Sequence, residues 1–424
     1  MLTLVQKTPI QQSAPNLREK RILLVHLDSL FPKVMASQER VYRMAERLSR
    51  DHIVDVATTV RDELELEESR KHLHGVCNTF YPIIPINPMR NQIKRKIRRI
   101  EYYLYNRLRQ YPHHYFYGGH PKIMAQLANI VKRNHYDVVQ AEYWYMGKLF
   151  EFIDADIYKT IDTHDVLFDK KRQEIFHQYN DNPPVSKRQE LAKYRELELK
   201  YLKLADLIIS ISMADKQTFD NLHLGNDNLL VPIGQDVEHF KNGALLNPQE
   251  NVVLFYGSMG GQENIDAFFR LWRGIFPRIK QMVPDAKLLV LGANPPQSIK
   301  SLHNGQEVIV TGFVDDVRGY LSRAKVAVIP LNVAAGFRGR SVDVMAMEVP
   351  VVGTHRALDC VQIKNGVHGY IADSDAEMAH HAAQLLMNDT LRLQMGRECR
   401  EFVMDKYSLD ATIGKLSDYY LALA

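Results

Sequence analysis

The stretch 324–354 constrains the fold of this chain more than any other. Residues 324–330 (AKVAVIP) are apolar and β-branched, which predicts a buried strand, and residues 349–354 (VPVVGT) predict another. Between them the sequence predicts a loop with two glycines and two arginines, then a short helix over 341–347 for which Ser341 is a suitable N-cap. A strand, a loop, a helix and a second strand in this order are typical of a parallel α/β sheet.

This loop has the composition of an anion site. Free backbone N–H groups and the positive end of the helix dipole would meet beside Gly336, where Arg338 and Arg340 add fixed cations. The combination suits a diphosphate, and Asp343, one turn into the helix, could accept hydrogen bonds from sugar hydroxyls. An ordinary strand–helix turn with solvated arginines explains the same residues, so the loop alone leaves both interpretations open.

The N-terminal half shows the same alternation. Residues 21–26 (RILLVH) predict a strand, 37–49 a helix with one apolar face and 53–58 a second strand, which together form a βαβ unit of a doubly wound parallel sheet. Further strands are predicted at 136–140, 157–162, 205–212 and 229–233. A chain of 424 residues is too long for one hydrophobic core, and the polar segment 242–250 is suited to linking two domains.

Composition excludes several classes of protein. The three cysteines, Cys77, Cys360 and Cys399, have no paired spacing, which argues for a reducing compartment and against a disulfide framework or a structural zinc site. No apolar run is long enough to span a bilayer, and residues 1–20 lack the apolar core of a signal peptide. We therefore expect a cytoplasmic protein with a flexible tail over 1–20.

The C-terminal half also resembles a known family. Its characteristic segments occur in order at 253–259 (VLFYGSM), 286–292 (AKLLVLG), 308–320 (VIVTGFVDDVRGY), 326–331 (VAVIPL), 345–352 (MAMEVPVV), 365–370 (NGVHGY) and 407–408. Over about 251–407 the chain is similar to the nucleotide-sugar-binding domain of glycosyltransferase family 4, the retaining glycosyltransferases of group 1. The resemblance implies the GT-B fold, in which two Rossmann-like doubly wound parallel-sheet domains face a cleft.

In that fold the chain divides into an acceptor-binding domain, a linker, a donor-binding domain and a final helix that crosses back to the first domain. The corresponding ranges are 21–241, 242–250, 251–408 and 409–424.

Two departures from the family pattern concern the donor site. The family usually has two glutamates separated by seven residues, and this chain has Ala335 and Asp343 at those positions, so one carboxylate is missing. After the first strand of the C-terminal half, Gln262 and the residues beside it replace the usual arginine and lysine. The positive charge must then come from Arg338 and Arg340, and the loss at Ala335 leaves the level of activity open.

The resemblance assigns a role to each candidate site residue. The diphosphate would lie against Gly257, Ser258, Gly336 and Ser341, with Arg338 and Arg340 stabilising the leaving group, the ribose on Asp343 and the base beside Phe313 and Val314. On the N-terminal domain Ser37 and Arg40 would line the cleft, and His164 would contact or polarise the donor sugar. Arg40 could instead be a solvated helix charge and His164 a structural histidine, although the end of a strand is where open α/β sheets bind ligands.

A basic segment at 89–117 is the second unusual feature. It interleaves aliphatic and aromatic residues with a cluster of cations at Lys94, Arg95, Lys96, Arg98 and Arg99. A basic amphipathic helix of this kind is typical of elements that bind anionic membrane surfaces, and a surface helix packed on the sheet explains it equally well. Nucleic acid is the weakest interpretation, because no nucleic-acid-binding motif accompanies the segment. The motif Asp154-Ala155-Asp156 precedes a strand instead of ending one, so we do not expect it to bind a metal.

These observations predict a glycosyltransferase that moves a sugar from a nucleoside-diphosphate sugar to a glycan or lipid-linked glycan acceptor. Retention of anomeric configuration, independence of metals and cofactors, and a role in cell-envelope polysaccharide or glycolipid assembly follow from the resemblance and the basic segment. The alternatives are a GT-B nucleotide-sugar epimerase or hydrolase and a non-catalytic nucleotide-sugar-binding subunit. A dinucleotide-dependent oxidoreductase is excluded because no GxGxxG follows Val25 or Leu254.

Overall fold

Two parallel sheets organise the chain. The computed structural model describes residues 18–31, 36–84, 120–241, 248–332 and 339–424. Their strands are β1 (Arg21–His26), β2 (Ile53–Thr59), β3 (Thr79–Ile83), β4 (Val138–Glu142), β5 (Tyr158–Asp162), β6 (Leu207–Ser210), β7 (Asp227–Leu230), β8 (Val252–Tyr256), β9 (Lys287–Leu291), β10 (Val308–Gly312), β11 (Val326–Ile329), β12 (Val351–Gly353) and β13 (Gly369–Ile371). This confirms the prediction of an α/β protein with two doubly wound parallel sheets.

Helices connect successive strands. In the N-terminal domain they are α1 (Ala36–Leu48), Glu63–Leu73, Pro121–Asn134, Leu167–Gln178, Val185–Leu202 and Met213–Asp220, with a 3₁₀ helix at Trp144–Glu151. The C-terminal half has Gln262–Arg270, a π turn at Leu271–Ile275, Phe276–Met282, Gln297–Lys300, Arg318–Leu321, Gly339–Ala346, His355–Leu358, a 3₁₀ turn at Asp359–Val361, Asp375–Met387, Asp389–Tyr407 and Leu409–Leu421. None of the helices in the described ranges is long and apolar enough to cross a membrane.

The strand orders show where each sheet can bind a ligand. The N-terminal sheet runs β3-β2-β1-β4-β5-β6-β7 and the C-terminal sheet β10-β9-β8-β11-β12-β13, with parallel pairing throughout. In both sheets the order reverses beside the first strand, between β1 and β4 and between β8 and β11. In open α/β sheets the crevice outside the carboxyl ends of the strands at this reversal is the usual ligand site.

The N-terminal sheet is buried on both faces. Leu23 and Val25 of β1 belong to one apolar cluster, and Ile22 and Leu24, which alternate with them, belong to another. This alternation explains why β1 is apolar at nearly every position, as strands covered by helices on both faces are.

The last helix, Leu409–Leu421, completes the N-terminal domain. Its Leu409, Ile413, Leu416 and Tyr420 lie in the same apolar cluster as Ile22 of β1. Just before it the Gln235 amide donates to the Tyr407 carbonyl at 2.6 Å, so the two connections between the domains touch one another.

One local prediction is wrong and several fall outside the described residues. The helix that follows the arginine loop includes Gly339 and Arg340, so Ser341 is a buried residue inside its first turn and not the N-cap. Outside the described ranges lie Ala335, Gly336, Arg338, most of the linker and the whole basic segment with Lys94, Arg95, Lys96, Arg98 and Arg99.

Candidate active site between the two domains

A cavity of about 540 Å³ lies between the domains at the reversal point of the C-terminal sheet. Tyr256, the last residue of β8, lines one side together with residues of β11 and of the Gly339–Ala346 helix. The opposite wall belongs to the N-terminal domain and to the segment that leaves it. The polar side chains that line the whole cavity are Glu39, Arg40, Arg43, Gln235, His239, Tyr256, Asn264, Arg340, Ser341 and Asp343.

Arg340, Tyr256 and Asp343 form a polar group in this cavity. The Tyr256 hydroxyl lies 3.4 Å from Asp343 Oδ2, to which it donates, and the exposed Arg340 guanidinium stands 5.5 Å from the centre of the Tyr256 ring. Burial raises the pKa of the Asp343 carboxyl to about 7, although the Arg340 charge and the Tyr256 hydrogen bond oppose this. The described part of the site therefore combines the accessible Arg340 cation with a carboxyl group whose pKa lies near neutral pH.

The loop after β8 is held by hydrogen bonds to the end of β9 and to the helix that follows the loop. The Gly257 amide donates to the Leu291 carbonyl at 3.0 Å, and the Met259 amide to the Ala293 carbonyl at 2.9 Å. Asn264 Nδ2 donates to the Ser258 carbonyl at 2.7 Å. The Gly257 amide thus pairs with the last residue of β9, and the predicted contact of this loop with a diphosphate stays a prediction. Neither Gly257 nor Ser258 lines the cavity, whereas their neighbours Tyr256 and Asn264 do.

The residues predicted to border the base lie outside the cavity. Phe313 follows β10 and is 75% exposed, and Val314 packs, half-buried, on the core of the C-terminal domain. The exposed Phe313 ring does not line the cavity, and its contact with the base stays a prediction.

On the N-terminal domain His164 forms a buried pair with Glu142. His164 Nε2 lies 2.7 Å from Glu142 Oε2. The ring stacks on Tyr143 with 4.2 Å between centroids, and the residue has φ +59°, a left-handed conformation that is uncommon outside glycine. Glu142 ends β4 and His164 follows β5, so the pair stands beside the reversal point of the N-terminal sheet. His164 is buried and does not line the cavity in this structure.

Arg40 lines the cavity, and its guanidinium also forms a buried ion pair. Its Nε donates to Asp162 Oδ2 at 2.7 Å, and its two terminal nitrogens donate to the carbonyls of Pro232 and Val231 at 3.1 and 2.9 Å. The side chain is 2% exposed. Arg40 therefore contributes to the cavity wall with a guanidinium that is already engaged. Ser37 is likewise buried and makes a hydrogen bond with the Tyr143 hydroxyl.

Glu142, Asp162 and His164 also have the arrangement of a small metal site, since their candidate ligand atoms lie within 4.8 Å of one another. These atoms already have partners in the protein, however. Gln140 and His164 are hydrogen-bonded to the two oxygens of Glu142, and the Arg40 guanidinium forms an ion pair with Asp162. A cation here would have to displace the positive charge of Arg40, so the donor set fits an ion-pair network better than a metal.

Glu142, Tyr143 and Tyr256 were not identified from the sequence. Each stands at the carboxyl end of a predicted strand, which is the one signal that could have singled them out.

Comparison with known proteins agrees with this architecture. Residues 250–388 match the family model described as Glycosyl transferases group 1. Sucrose-phosphate synthase (tll1590) from Thermosynechococcus elongatus has a similar structure, with a TM-score of 0.65 over 95% of this chain and 98% of that one at 16% identity. Anabaena Alr3699/HepE in complex with UDP gives a TM-score of 0.64 over 95% of this chain and 100% of that one, at 13% identity. The chain has the GT-B glycosyltransferase fold.

A curated relative covers less of the chain. N-acetyl-alpha-D-glucosaminyl L-malate synthase from Bacillus anthracis is 28% identical over 143 residues, or 32% of this chain and 37% of that protein. The chain thus spans little more than a third of the curated relative that it matches. The GT-B prediction is confirmed, and the narrower assignment to glycosyltransferase family 4 stays a prediction.

Proposed function

We propose that this protein is a glycosyltransferase that takes a sugar from a nucleoside-diphosphate sugar. The observation that supports this most directly is the interdomain cavity at the reversal point of the C-terminal sheet, where Arg340 and Asp343 converge beside Tyr256. Proteins with this fold include Alr3699/HepE, whose structure was determined with UDP. The position, size and charge of the cavity suit a nucleoside diphosphate.

In the proposed complex the diphosphate lies at the N-terminal end of the Gly339–Ala346 helix. Helix amides and the exposed Arg340 guanidinium supply positive charge there, and Arg338, outside the described residues, would add a second cation. Asp343 accepts hydrogen bonds from the ribose hydroxyls when ionised, and Phe313 offers an exposed ring to the base.

The proposed chemistry is stabilisation of the leaving group. Cleavage of the bond between sugar and diphosphate develops negative charge on the diphosphate, and preorganised cations and helix amides lower that barrier. Neither a metal nor another cofactor is needed in this scheme. His164, on the opposite domain, would contact the donor sugar once the domains close, and retention of configuration is proposed from the family resemblance.

The proposed acceptor is a glycan or lipid-linked glycan bound by the N-terminal domain. The basic, aromatic segment 89–117 favours an acceptor at an anionic membrane surface, hence a cytoplasmic protein in cell-envelope polysaccharide or glycolipid assembly. Nucleic acid is not among the proposed partners.

A non-catalytic nucleotide-sugar-binding subunit is the second candidate. Ala335 replaces the first of the two family glutamates, and Gln262, Glu263 and Asn264 replace the basic pair after β8. These changes remove charges that catalysis would use while leaving Arg340 and Asp343 for binding.

A thermal-shift screen would test the donor site. UDP, GDP, ADP, UDP-glucose, UDP-N-acetylglucosamine, GDP-mannose and ADP-glucose would be tested on the native chain, on Arg340→Ala and on Arg278→Ala. Arg278 is an exposed arginine of the same domain that does not line the cavity. We expect one base to raise Tm in the native chain and in Arg278→Ala but not in Arg340→Ala, because ligand binding stabilises the folded state. No shift with any compound would contradict the donor site, and binding without release of free diphosphate would favour the non-catalytic subunit.

A further inference from the structure

Glu142 is a glutamate with 0% exposure whose two oxygens both have defined partners. Gln140 Nε2 donates to its Oε1 at 2.8 Å, and His164 Nε2 lies 2.7 Å from its Oε2. An ionised carboxylate only accepts hydrogen bonds, so it requires a proton on His164 Nε2. A neutral His164 ring then has its lone pair on Nδ1, the nitrogen that makes no hydrogen bond within the described part of the chain.

The hydrogen-bond partners of Gln140 fix the direction of its amide. The Tyr420 hydroxyl donates to Gln140 Oε1 at 2.9 Å, and Gln140 Nε2 also lies 3.2 Å from the sulfur of Met44. The amide oxygen of Gln140 is thus directed to Tyr420 and its NH₂ group to Glu142. The Tyr420 hydroxyl can donate or accept, so the direction of the Gln140 amide is set by the Glu142 carboxylate and the Met44 sulfur, which can only accept.

The ring of His164 is also held by stacking. It lies on Tyr143, which in turn stacks on Tyr145 with 5.3 Å between centroids. Tyr143 has φ +67° and ψ 149°, a region that is almost restricted to glycine, and it directly follows Glu142. Two residues in unfavourable conformations, at the ends of the neighbouring strands β4 and β5, indicate that the surrounding contacts hold this group in place.

We propose that Glu142 is a positioning residue that sets the tautomer and orientation of His164, so that Nδ1 serves as the acceptor for a hydroxyl of the donor sugar. The hydrogen bonds from Tyr420 through Gln140 to Glu142 make the last helix part of this support. The inference deepens the proposed function and rests on the placement of His164 at the donor sugar.

The substitution Glu142→Gln tests the tautomer directly. The Met44 sulfur accepts only and favours the present direction of the Gln140 NH₂ group, so we expect the new amide to turn its oxygen toward Gln140 and its NH₂ group toward His164. His164 Nε2 then has to accept, and the proton moves to Nδ1. The control is Glu198→Gln, since Glu198 is a second glutamate with 0% exposure in the same domain, bonded to the Leu167 amide and not to His164.

Two measurements on the full chain are needed. The tautomer of His164 is read from long-range ¹H–¹⁵N correlations of ¹⁵N-histidine-labelled protein without ligand, with the signal assigned by its loss in His164→Gln. Kinetics follow diphosphate release from whichever of UDP-glucose, UDP-N-acetylglucosamine, GDP-mannose and ADP-glucose the native chain turns over.

For Glu142→Gln we expect the Nε2–H signal to be replaced by Nδ1–H. We also expect kcat to fall about 10-fold or more while the donor KM stays within about threefold, as when the carboxylate that orients a functional imidazole is neutralised. Glu198→Gln should match the native chain in both respects. A retained Nε2–H signal or a native kcat in Glu142→Gln would overturn the proposal. A native chain that binds no nucleotide would instead contradict the proposed function. The tautomer measurement, made without ligand, would still show whether Glu142 sets the tautomer of His164.

Discussion

The Arg40 guanidinium and the Asp162 carboxylate form a buried ion pair with 2.7 Å between Nε and Oδ2, and their side chains are 2% and 0% exposed. The pair joins helix α1 to the end of β5. The two terminal nitrogens of Arg40 donate to the carbonyls of Val231 and Pro232, where the chain leaves the N-terminal sheet. Arg40 thus ties the end of β5 to two segments that line the cavity, helix α1 and the residues that follow β7.

Arg40→Leu should therefore destabilise the N-terminal domain. Removing one partner of a buried ion pair leaves an uncompensated charge, which costs about 3–5 kcal/mol. Urea unfolding followed by Trp144 fluorescence in a Trp272→Phe background would measure the free energy of unfolding of this domain. The control is Arg50→Leu, because the Arg50 side chain is 55% exposed and its pairing with Asp410 at 3.7 Å contributes at most about 1 kcal/mol. Equal effects of the two substitutions would show that the Arg40 pair is not structural.

Asp343 should make the stability of the C-terminal domain depend on pH. Burial raises the pKa of its carboxyl in the folded protein to about 7, above its ordinary value of 3.8. Between these values the folded state binds more protons than the unfolded state, so its contribution to stability falls as pH rises from about 4 to about 7. Asp343→Asn, which cannot ionise, should lose this slope. Unfolding at several pH values, followed by Trp272 in a Trp144→Phe background, would measure it, and an unchanged slope would contradict the raised pKa.

Arg340→Lys should separate charge from geometry in the donor site. Lysine keeps the cation but loses the planar guanidinium that lies over Tyr256 and can bind phosphate oxygens in pairs. We expect the Kd for the nucleoside diphosphate to rise about 10-fold in Arg340→Lys and more in Arg340→Ala, since a hydrogen bond to a charged group contributes about 1.5–3 kcal/mol. Isothermal titration calorimetry would measure both. Native affinity in Arg340→Ala would place the diphosphate elsewhere.

Gly292→Ala should disrupt the loop that positions Tyr256. A Cβ atom at Gly292, where φ is +150°, would lie 2.0 Å from the Gly257 carbonyl oxygen, so the backbone of one of the two loops must move. We expect a loss of about 3 kcal/mol or more in the C-terminal domain. Gly305→Ala is the control for a positive φ without a close contact, because φ there is +73°, in the milder left-handed region, and no atom lies within 4 Å of the new Cβ. Its cost should be about 1–2 kcal/mol, and a comparable loss in both variants would mean that the close approach can relax.

Local patterns predicted most of the fold because each strand and helix leaves its own periodicity. Residues 21–26 were predicted as a strand with the same bounds as β1, and the helix at 37–49 differs from α1 by one residue at each end. Ser341 was misplaced because the loop and the first helical turn share the same small and charged residues, so the sequence alone does not show where the helix begins.

The site was harder to predict, since its contacts join distant strands. The pairing of Glu142 with His164 depends on the parallel alignment of β4 with β5, which brings Glu142 opposite Asp162. Nothing in the residues near Glu142 shows this. Arg40 does line the cavity, but its ion pair was missed because its partner Asp162 lies 122 positions away and becomes a neighbour only in the folded sheet.

The last helix also bears on how the chain is made. Because Leu409, Ile413, Leu416 and Tyr420 complete the apolar face of the first domain, that domain emerges from the ribosome without one of its covering layers. The last described strand of the second domain ends at residue 371, and its core is completed by helices that extend to Tyr407, directly before the last helix. During synthesis the nascent chain therefore carries an exposed apolar surface on residues made early, and we expect chaperones that bind such surfaces to associate with it until residues 409–421 have been translated.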